Sequence, residues 1–324
     1  MSFLIRRLGF YLIAAFVAIT LNFFIPRMMV GDPVTLMFAR FQGRLDPHAL
    51  ASLKAAFGFV EGPILQQFAT YLQNLAQGNL GTSVSQFPVS VAQVMGVGLG
   101  WTLRLAGTAT IVSFLAGTLL GIVAAWRRGR FADNYILPLL SLLGAFPYFF
   151  VAMLALYIFA FQFGWFPVLH AYDLNIAEDW TSSAFLISVF QHSILPALTL
   201  IFTAMGGWML GMRNNMIGIL SQDFIVMAQA KGLRDRRVML TYAARNAILP
   251  SLTGFAISLG FVVGGILLVE IVFSYPGVGY LLLSAVNARD YPLMQGIFLL
   301  TTFTVLLANL FVDLLYVLLD PRAR

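Results

Sequence analysis

A few polar side chains stand inside long apolar stretches of this sequence, and their types suit the passage of a solute. They are Asn22, Arg104, Glu270, Asn309 and Asp313. A charged or amide group is costly in hydrocarbon and is often retained where it lines a path or a gate. A neighbouring helix or the lipid headgroups can satisfy the same groups. Each residue is therefore a candidate for a translocation path or gate, with a structural role as the alternative.

The position of each residue in its apolar stretch bears on this choice. Arg104 lies near the beginning of its stretch, where an arginine reaches the headgroups, so anchoring is favoured and path lining stays open. Asn22 lies deeper, where a neighbouring helix more often satisfies an amide. Asn309 and Asp313 are four residues apart and share one helix face, which favours helix packing over contact with a pore.

Glu270 lies near the end of its apolar stretch, before the turn Tyr275-Pro-Gly-Val-Gly279. A carboxylate at this place could cap the segment that follows or hold an external gate shut. The structural role is favoured, and the gate remains the alternative.

Several kinds of catalytic chemistry are excluded by the residues that are missing. The sequence has no cysteine, and neither of its two lysines, Lys54 and Lys231, precedes a serine or threonine. The phosphate-binding loop G-x-x-x-x-G-K-[ST] therefore cannot form, and another chain must hydrolyse any ATP that drives this protein. Because no H-E-x-x-H motif is present either, a stand-alone membrane enzyme is disfavoured, and we expect no metal or cofactor on this chain.

The composition is that of an integral membrane protein. Of 324 residues, 60% are hydrophobic and 10% are charged, whereas soluble domains have about 25% charged residues. The net charge of +6 would suggest nucleic acid in a soluble protein, but basic residues on a membrane chain mark its cytoplasmic side. We expect the lipid bilayer, and no nucleic acid, as a partner.

Six apolar runs are long enough to cross a bilayer, which requires about 20 residues. They are 8–30, 101–126, 135–161, 185–210, 249–274 and 294–319. Of the 19 lysines and arginines, 13 fall on the side of the termini, five fall on the other side, and Arg104 lies within a run. The positive-inside rule then predicts a multi-pass protein with both termini in the cytoplasm.

The loops complete the predicted organisation. Residues 1–30 form the first transmembrane helix, 31–100 an external loop with amphipathic helices, 101–319 a five-helix core and 320–324 a cytoplasmic tail. In the external loop, apolar residues recur at helical spacing after Pro63 and predict a helix. They are Ile64, Leu65, Phe68, Tyr71, Leu72 and Leu75.

The cytoplasmic loop 211–248 carries six basic residues and is predicted to hold two short helices. The first begins after the capping residue Ser221, covers 223–232 and stops at Gly232, a residue that readily adopts the left-handed conformation. The small residues Ala228 and Ala230 beside this turn would make a compact projection for the groove of a partner. An ordinary basic loop is the alternative.

Motifs along the whole chain resemble one family, the permease subunits of dipeptide and oligopeptide ABC importers. The quoted segments are Arg6-Arg7, Gly31-Asp-Pro-Val34, Gly78-Asn-Leu-Gly-Thr-Ser83, Ala228-Gln-Ala-Lys-Gly-Leu233, Arg245-Asn-Ala-Ile-Leu-Pro250, Glu270-Ile-Val-Phe-Ser-Tyr-Pro-Gly-Val-Gly279, Ala288-Arg-Asp-Tyr-Pro292 and Asn309-Leu-Phe-Val-Asp-Leu-Leu-Tyr316. The resemblance implies an all-α membrane fold of six transmembrane helices, the type I ABC importer permease fold, in a bacterial or archaeal plasma membrane.

The resemblance also implies partners and a coupling site. The partners are a homologous second permease, two identical or different ATPase subunits that hold ATP and magnesium, and an extracytoplasmic binding protein. The residues that would couple to the ATPase are Asp223, Ala228, Ala230, Lys231, Gly232 and Leu233. This chain has Val226-Met227 where the broader motif has Glu-Ala, so no ion pair is implied there.

The family resemblance leaves the solute open. Peptides are favoured, and oligosaccharides or other solutes such as nickel complexes are the alternatives. A channel or a secondary transporter that works without an ATPase is less favoured, because such a chain is expected to carry an internal repeat.

Overall fold

The computed structural model describes residues 2–28 and 62–319. Most of the predicted external loop, 31–61, and the predicted tail, 320–324, lie outside the described residues. In the described ranges every regular element is a helix, and Thr82 and Ser90 form an isolated β-bridge. The predicted all-α fold is confirmed.

Thirteen helices in the described ranges are labelled in chain order. They are α1 Ser2–Arg27, α2 Ile64–Ala76, α3 Val91–Trp126, α4 Ala132–Ala145, α5 Tyr148–Gln162, α6 Ser183–Leu220, α7 Asp223–Ala230, α8 235–247, α9 Leu249–Gly260, α10 Val262–Gly265, α11 Leu267–Val272, α12 Val278–Ala288 and α13 Tyr291–Leu319. Helix α2 is the helix predicted after Pro63.

The chain divides into two compact units. The first comprises Met1–Trp101 and Pro276–Arg324, and the second comprises Thr102–Tyr275. Residue 101 and residues 276–319, which were predicted to belong to the five-helix core, therefore fall in the first unit.

In the first unit, α1 packs along α13 and carries α2 on its far end. The amide of Asn22 donates to the backbone oxygen of Gln295 at 2.8 Å. The buried ring of Phe23 contacts Phe68 and Tyr71 of α2, with ring centroids 5.1 and 5.4 Å apart. These aromatic contacts explain why the amphipathic helix lies against α1.

In the second unit, small residues let long helices approach closely. A Cβ atom on Gly117 or Gly121 of α3 would lie 2.7 or 2.6 Å from the backbone oxygens of Met205 and Met209 in α6. Gly117 and Gly121 form a G-x-x-x-G pattern, which allows such backbone contact between membrane helices. Gly206 brings α6 equally close to α4. Helix α6 therefore forms the centre of this unit, between α3 and α4.

The third predicted span is not one straight helix, which corrects the sequence prediction for 135–161. Helices α4 and α5 meet at an angle of 101°. The break falls at Phe146, whose backbone is extended (φ −85°, ψ 145°). Pro147 explains it, because a proline disfavours the α conformation of the residue before it.

The fifth predicted span, 249–274, is also broken, into α9, α10 and α11. None of these three helices is long enough to cross a bilayer by itself. Gly260, Gly264 and Gly265 stand at the breaks, and glycine costs about 1 kcal/mol relative to alanine in a helix interior. Apolar composition therefore does not by itself predict that a helix is continuous.

Two spans are longer than their apolar runs. Helix α3 begins at Val91, ten residues before the predicted beginning, because Ser90 and Gln93 cap it reciprocally at 3.3 Å. Helix α6 continues to Leu220 rather than ending at residue 210. In the described ranges, four helices are long and apolar enough to span a membrane, or five if α4 and α5 form one span.

Candidate functional site

Helix α7 lies in the loop 211–248, where a short helix ending at a glycine turn was predicted. It covers Asp223–Ala230 and is followed by Gly232 with φ +72°, the left-handed conformation that favours glycine. The predicted capping role of Ser221 is wrong, since its hydroxyl donates back to Gly218 of α6. Gln222 precedes α7 without a side-chain cap, and Asp223 in the first turn faces the positive end of the helix.

The two faces of α7 differ in what they contact. Ile225 and Ala228 are 1% and 3% exposed and pack into a cluster with Met216 of α6 and Val238 and Ala244 of α8. The rest of the helix surface exposes the large apolar side chains of Phe224, Val226 and Met227. The packing of Ile225 and Ala228 thus anchors α7, and its exposed apolar side chains remain on the surface of the chain.

The predicted coupling residues divide in the same way. Ala228 is buried in the chain's own cluster and Leu233 packs against it, so these two position the segment from within. Asp223, Ala230 and Lys231 are exposed around the turn. The exposed apolar residues between Asp223 and Ala230 were not predicted from the sequence. Their positions on either side of Ile225 indicated that the helix has a buried face and an exposed face.

Elsewhere in the second unit, Arg104 contacts an aromatic ring and Glu270 contacts a hydroxyl group. The guanidinium carbon of Arg104 lies 3.9 Å from the centre of the Trp180 ring, a cation–π contact. Glu270 is 1% exposed and accepts a hydrogen bond of 2.6 Å from the hydroxyl of Thr102. The Glu270 side chain is thus buried against α3, where it fixes α11.

A cavity of about 580 Å³ lies beside Arg104. Its polar lining residues are Arg104, Thr108, Ser193 and Tyr275, and its remaining walls are apolar. The hydroxyls of Ser193 and Tyr275 are hydrogen bonded at 3.1 Å, and burial raises the pKa of Tyr275, so this phenol stays neutral. The volume falls within the range of about 300–1,000 Å³ for small-molecule sites.

A second cavity, of about 320 Å³, lies where the two helix breaks meet. Pro147 and Tyr148 from the α4–α5 break line it, and so does Ile266 between α10 and α11. Ser113 and Thr203 add hydroxyls. Interrupted helices in membranes occur where the backbone lines a cavity. The sequence signals for this site were Pro147 and the glycines before Ile266.

The other three predicted path residues lie in the first unit. Asn22 is 5% exposed and bonded to Gln295, as described above. Asp313 accepts a hydrogen bond of 2.6 Å from Tyr11 and lies 2.9 Å from the guanidinium of Arg7. Asn309 is partly buried on the same helix. The structure therefore does not bring the five predicted residues together, and Asn22 and Asp313 join α1 to α13.

Two buried carboxylates were missed as positioning residues. Asp290 is fully buried and accepts hydrogen bonds from the hydroxyl of Ser83 at 2.5 Å and from the hydroxyl and backbone nitrogen of Ser85 at 2.8 Å. Asp133 of α4 pairs with Arg213 of α6 at 2.5 Å. Asp290 occurs in the quoted segment Ala288-Arg-Asp-Tyr-Pro292, whereas nothing in the sequence paired Asp133 with Arg213.

Comparison with known proteins identifies the family of this chain. Residues 117–324 match the family described as binding-protein-dependent transport system inner membrane component. A di/tripeptide transport system permease protein of Pseudomonas aeruginosa is 34% identical over 100% of this chain and 99% of its own length. The glutathione transport system permease protein of Escherichia coli strain K12 is 32% identical over the same shares.

These matches cover the apolar helices, α7 and the helix breaks. The family segment covers well over half of the chain, and the two relatives are similar to this chain from end to end. The resemblance drawn from the sequence motifs is confirmed, and the chain belongs to the family of binding-protein-dependent transport system inner membrane components.

Proposed function

We propose that this chain forms half of the translocation pathway of an ATP-driven importer for short peptides. Relatives that match it over its whole length are named for di- and tripeptides and for glutathione, itself a tripeptide. The observation that carries the proposal is the meeting of two broken helices at one cavity in the second unit. Solute sites in transporters are typically built at such interruptions.

The larger cavity beside Arg104 gives the pathway its chemical preference. A short peptide carries a carboxylate at its C-terminus, and Arg104 is the charged residue among the described lining residues. A guanidinium binds a carboxylate through two parallel hydrogen bonds. Glu270 holds α11 beside this cavity through its hydrogen bond with Thr102. In this way it would stabilise an external gate without contacting the solute. Asn22, Asn309 and Asp313 serve helix packing.

Helix α7 is the proposed contact with the ATPase. Phe224, Val226 and Met227 would enter a groove on the partner, and Asp223, Ala230 and Lys231 would surround the contact. Because α7 is anchored to α6 and α8 through Ile225 and Ala228, a displacement of α7 moves the core of the second unit. ATP binding would then shift the population between inward-open and outward-open states.

The chain itself is non-catalytic in this proposal and binds no cofactor. Two ATPase subunits hold ATP and magnesium, a homologous second permease completes the pathway, and an extracytoplasmic binding protein delivers the solute. Both termini lie in the cytoplasm, where the excess of basic residues falls. The sequence-based organisation into a first helix, an external loop and a core with the coupling loop 211–248 is kept as part of the proposal.

Reconstitution tests this function directly. Liposomes that contain the two permeases, the ATPases and the binding protein should accumulate a radiolabelled dipeptide when ATP is supplied. Omission of the ATPases should abolish the uptake. Uptake by liposomes that contain only this chain would overturn the proposal.

The role of Arg104 is tested within the same assay. Arg104→Gln should raise the KM for a dipeptide about tenfold, since a charge-assisted hydrogen bond is lost. A dipeptide amide, which lacks the carboxylate, should be transported equally by both proteins. An unchanged KM for the dipeptide would remove Arg104 from the pathway.

A further inference from the structure

A separate polar cavity in the first unit is not used by the proposed transport path. It has a volume of about 70 Å³ and lies among α1, α2 and α13. Arg27, Tyr71, Asn74 and Gln295 line it, and no aspartate or glutamate occurs among its described lining residues. One water requires about 10–15 Å³ by this measure, so the space corresponds to about five to seven water-sized positions, enough for the five heavy atoms of a phosphate group.

One buried hydrogen-bond donor in this cavity, on Gln295, lacks an acceptor. Gln295 is 8% exposed, and its side-chain nitrogen has no partner in the described structure. Buried polar atoms are rarely left unpaired in native proteins, so this donor indicates a ligand or water in the cavity. The hydroxyl of Tyr71 accepts from Asn22 at 3.5 Å and keeps its own proton for donation. Burial raises the pKa of Tyr71 to about 12, so the phenol remains protonated.

Arg27 supplies the charge. Its guanidinium lies 3.7 Å from the centre of the Phe23 ring and donates to the backbone oxygen of Phe23 at 2.9 Å. A guanidinium has five N–H groups, so others remain for a ligand. Among the described residues no carboxylate forms an ion pair with Arg27. A cavity with one cation, several donors and no acid attracts an oxyanion.

The place of Arg27 along α1 indicates the source of the oxyanion. The apolar span of α1 is Arg6–Arg27, and its 22 residues extend about 33 Å, close to the hydrocarbon thickness of about 30 Å. Arg27 therefore falls at the headgroup level of the leaflet opposite the N-terminus. Phe10, Ile13 and Phe16 are more than half exposed on α1, as suits contact with acyl chains. We propose that this cavity binds the phosphate group of a phospholipid headgroup.

Binding to purified full-length chain tests the proposal. The protein is delipidated in a phosphate-free detergent and titrated with dihexanoyl phosphatidylglycerol, dihexanoylglycerol or inorganic phosphate, and native mass spectrometry counts the bound molecules. Phosphatidylglycerol should bind wild type about tenfold more tightly than Arg27→Gln. Dihexanoylglycerol, which has no phosphate, should not distinguish the two proteins. The same tenfold difference with inorganic phosphate would confirm the oxyanion site but place its source in solution, which overturns the lipid assignment.

Two further variants make the result decisive. Tyr71→Phe keeps the ring against Phe23 and removes one donor, so it should weaken phosphatidylglycerol binding even if Arg27→Gln does not fold. Arg289→Gln removes an equal charge in the same unit outside the cavity and should leave the affinity unchanged. Equal affinity of wild type, Arg27→Gln and Tyr71→Phe for every probe would overturn the proposal. Equal loss in Arg289→Gln and Arg27→Gln would do the same, because it would show attraction by net charge alone.

Discussion

At the scale of single residues, the buried carboxylates have structural partners. Asp290 accepts three hydrogen bonds from Ser83 and Ser85 through one oxygen, and its other oxygen accepts from the backbone nitrogen of Leu293 at 3.1 Å. Glu270 is held by Thr102, and Asp133 by Arg213. Polarity inside an apolar sequence singled out Glu270 but not Asp290 or Asp133. It could not separate a packing role from contact with solute, because that depends on the neighbours.

Asp290→Asn should destabilise the first unit. The substitution replaces a charged acceptor by an amide, and the donors of Ser83 and Ser85 then compete for a weaker partner in a buried site. We expect a loss of about 3 kcal/mol, within the range for hydrogen bonds to charged groups. Thermal unfolding of the purified chain in detergent measures it.

Asp179→Asn is the control for this substitution. Asp179 accepts only from its neighbour Thr181 in an exposed loop, so its unfolding temperature should stay close to that of wild type. An Asp290→Asn protein as stable as the control would show that the buried network contributes nothing.

At the scale of elements, close helix approach and helix breaks determine the core of the second unit. Gly117 and Gly121 place α3 against α6, Gly206 places α6 against α4, and Pro147 ends α4. The G-x-x-x-G pattern and the proline were visible in the sequence. Only the structure shows which helix the glycines face. It also shows that the break at Pro147 and the break at Ile266 line the same cavity.

Gly121→Leu should separate α3 from α6. Its Cβ alone would lie 2.6 Å from the backbone oxygen of Met209, and backbone cannot yield as a side chain can. We expect a loss of stability of about 3 kcal/mol or more, at the upper end of the range for overpacked cores. Gly107→Leu lies in the same helix with nothing within 4 Å of the added Cβ, so it should be tolerated. Equal unfolding temperatures for the two variants would contradict the close contact.

Gly232→Leu should uncouple transport from ATP hydrolysis. Its φ of +72° disfavours a side chain, and we expect ATP-driven uptake in the reconstituted complex to fall about tenfold, equivalent to ~1.4 kcal/mol of bias against the turn. Membrane insertion should be unchanged, because the turn lies outside the spans.

Gly218→Leu serves as the matched control for coupling. Gly218 lies within helix α6 with open space around its added Cβ, so the variant should transport like wild type. Wild-type uptake by Gly232→Leu as well would remove the coupling role from this turn.

At the scale of the whole molecule, the two compact units contain different features. The first holds the proposed phosphate site, and the second holds the broken helices, both larger cavities and α7. The matched family segment, 117–324, covers the last ten residues of α3 and everything after it.

The orientation follows from charge and is tested with fusions. Green fluorescent protein fused after Arg324 should fluoresce, because the positive-inside rule places the C-terminus in the cytoplasm. Alkaline phosphatase inserted at Gly78, in the loop expected outside, should be active. Activity of an alkaline phosphatase fused after Arg324 would overturn the topology.

The sequence by itself determined the membrane class, the family, the amphipathic helix after Pro63 and the end of α7 before Gly232. These depend on composition, periodicity and a single residue's conformational freedom, which are local properties of the chain. Tertiary structure decided that the span around Pro147 bends by 101° and that Ala228 is buried rather than presented. It also decided that Arg27, Tyr71 and Gln295 share a cavity. Each of these depends on contacts between residues far apart in sequence, and hydropathy summed along the chain carries no information about such contacts.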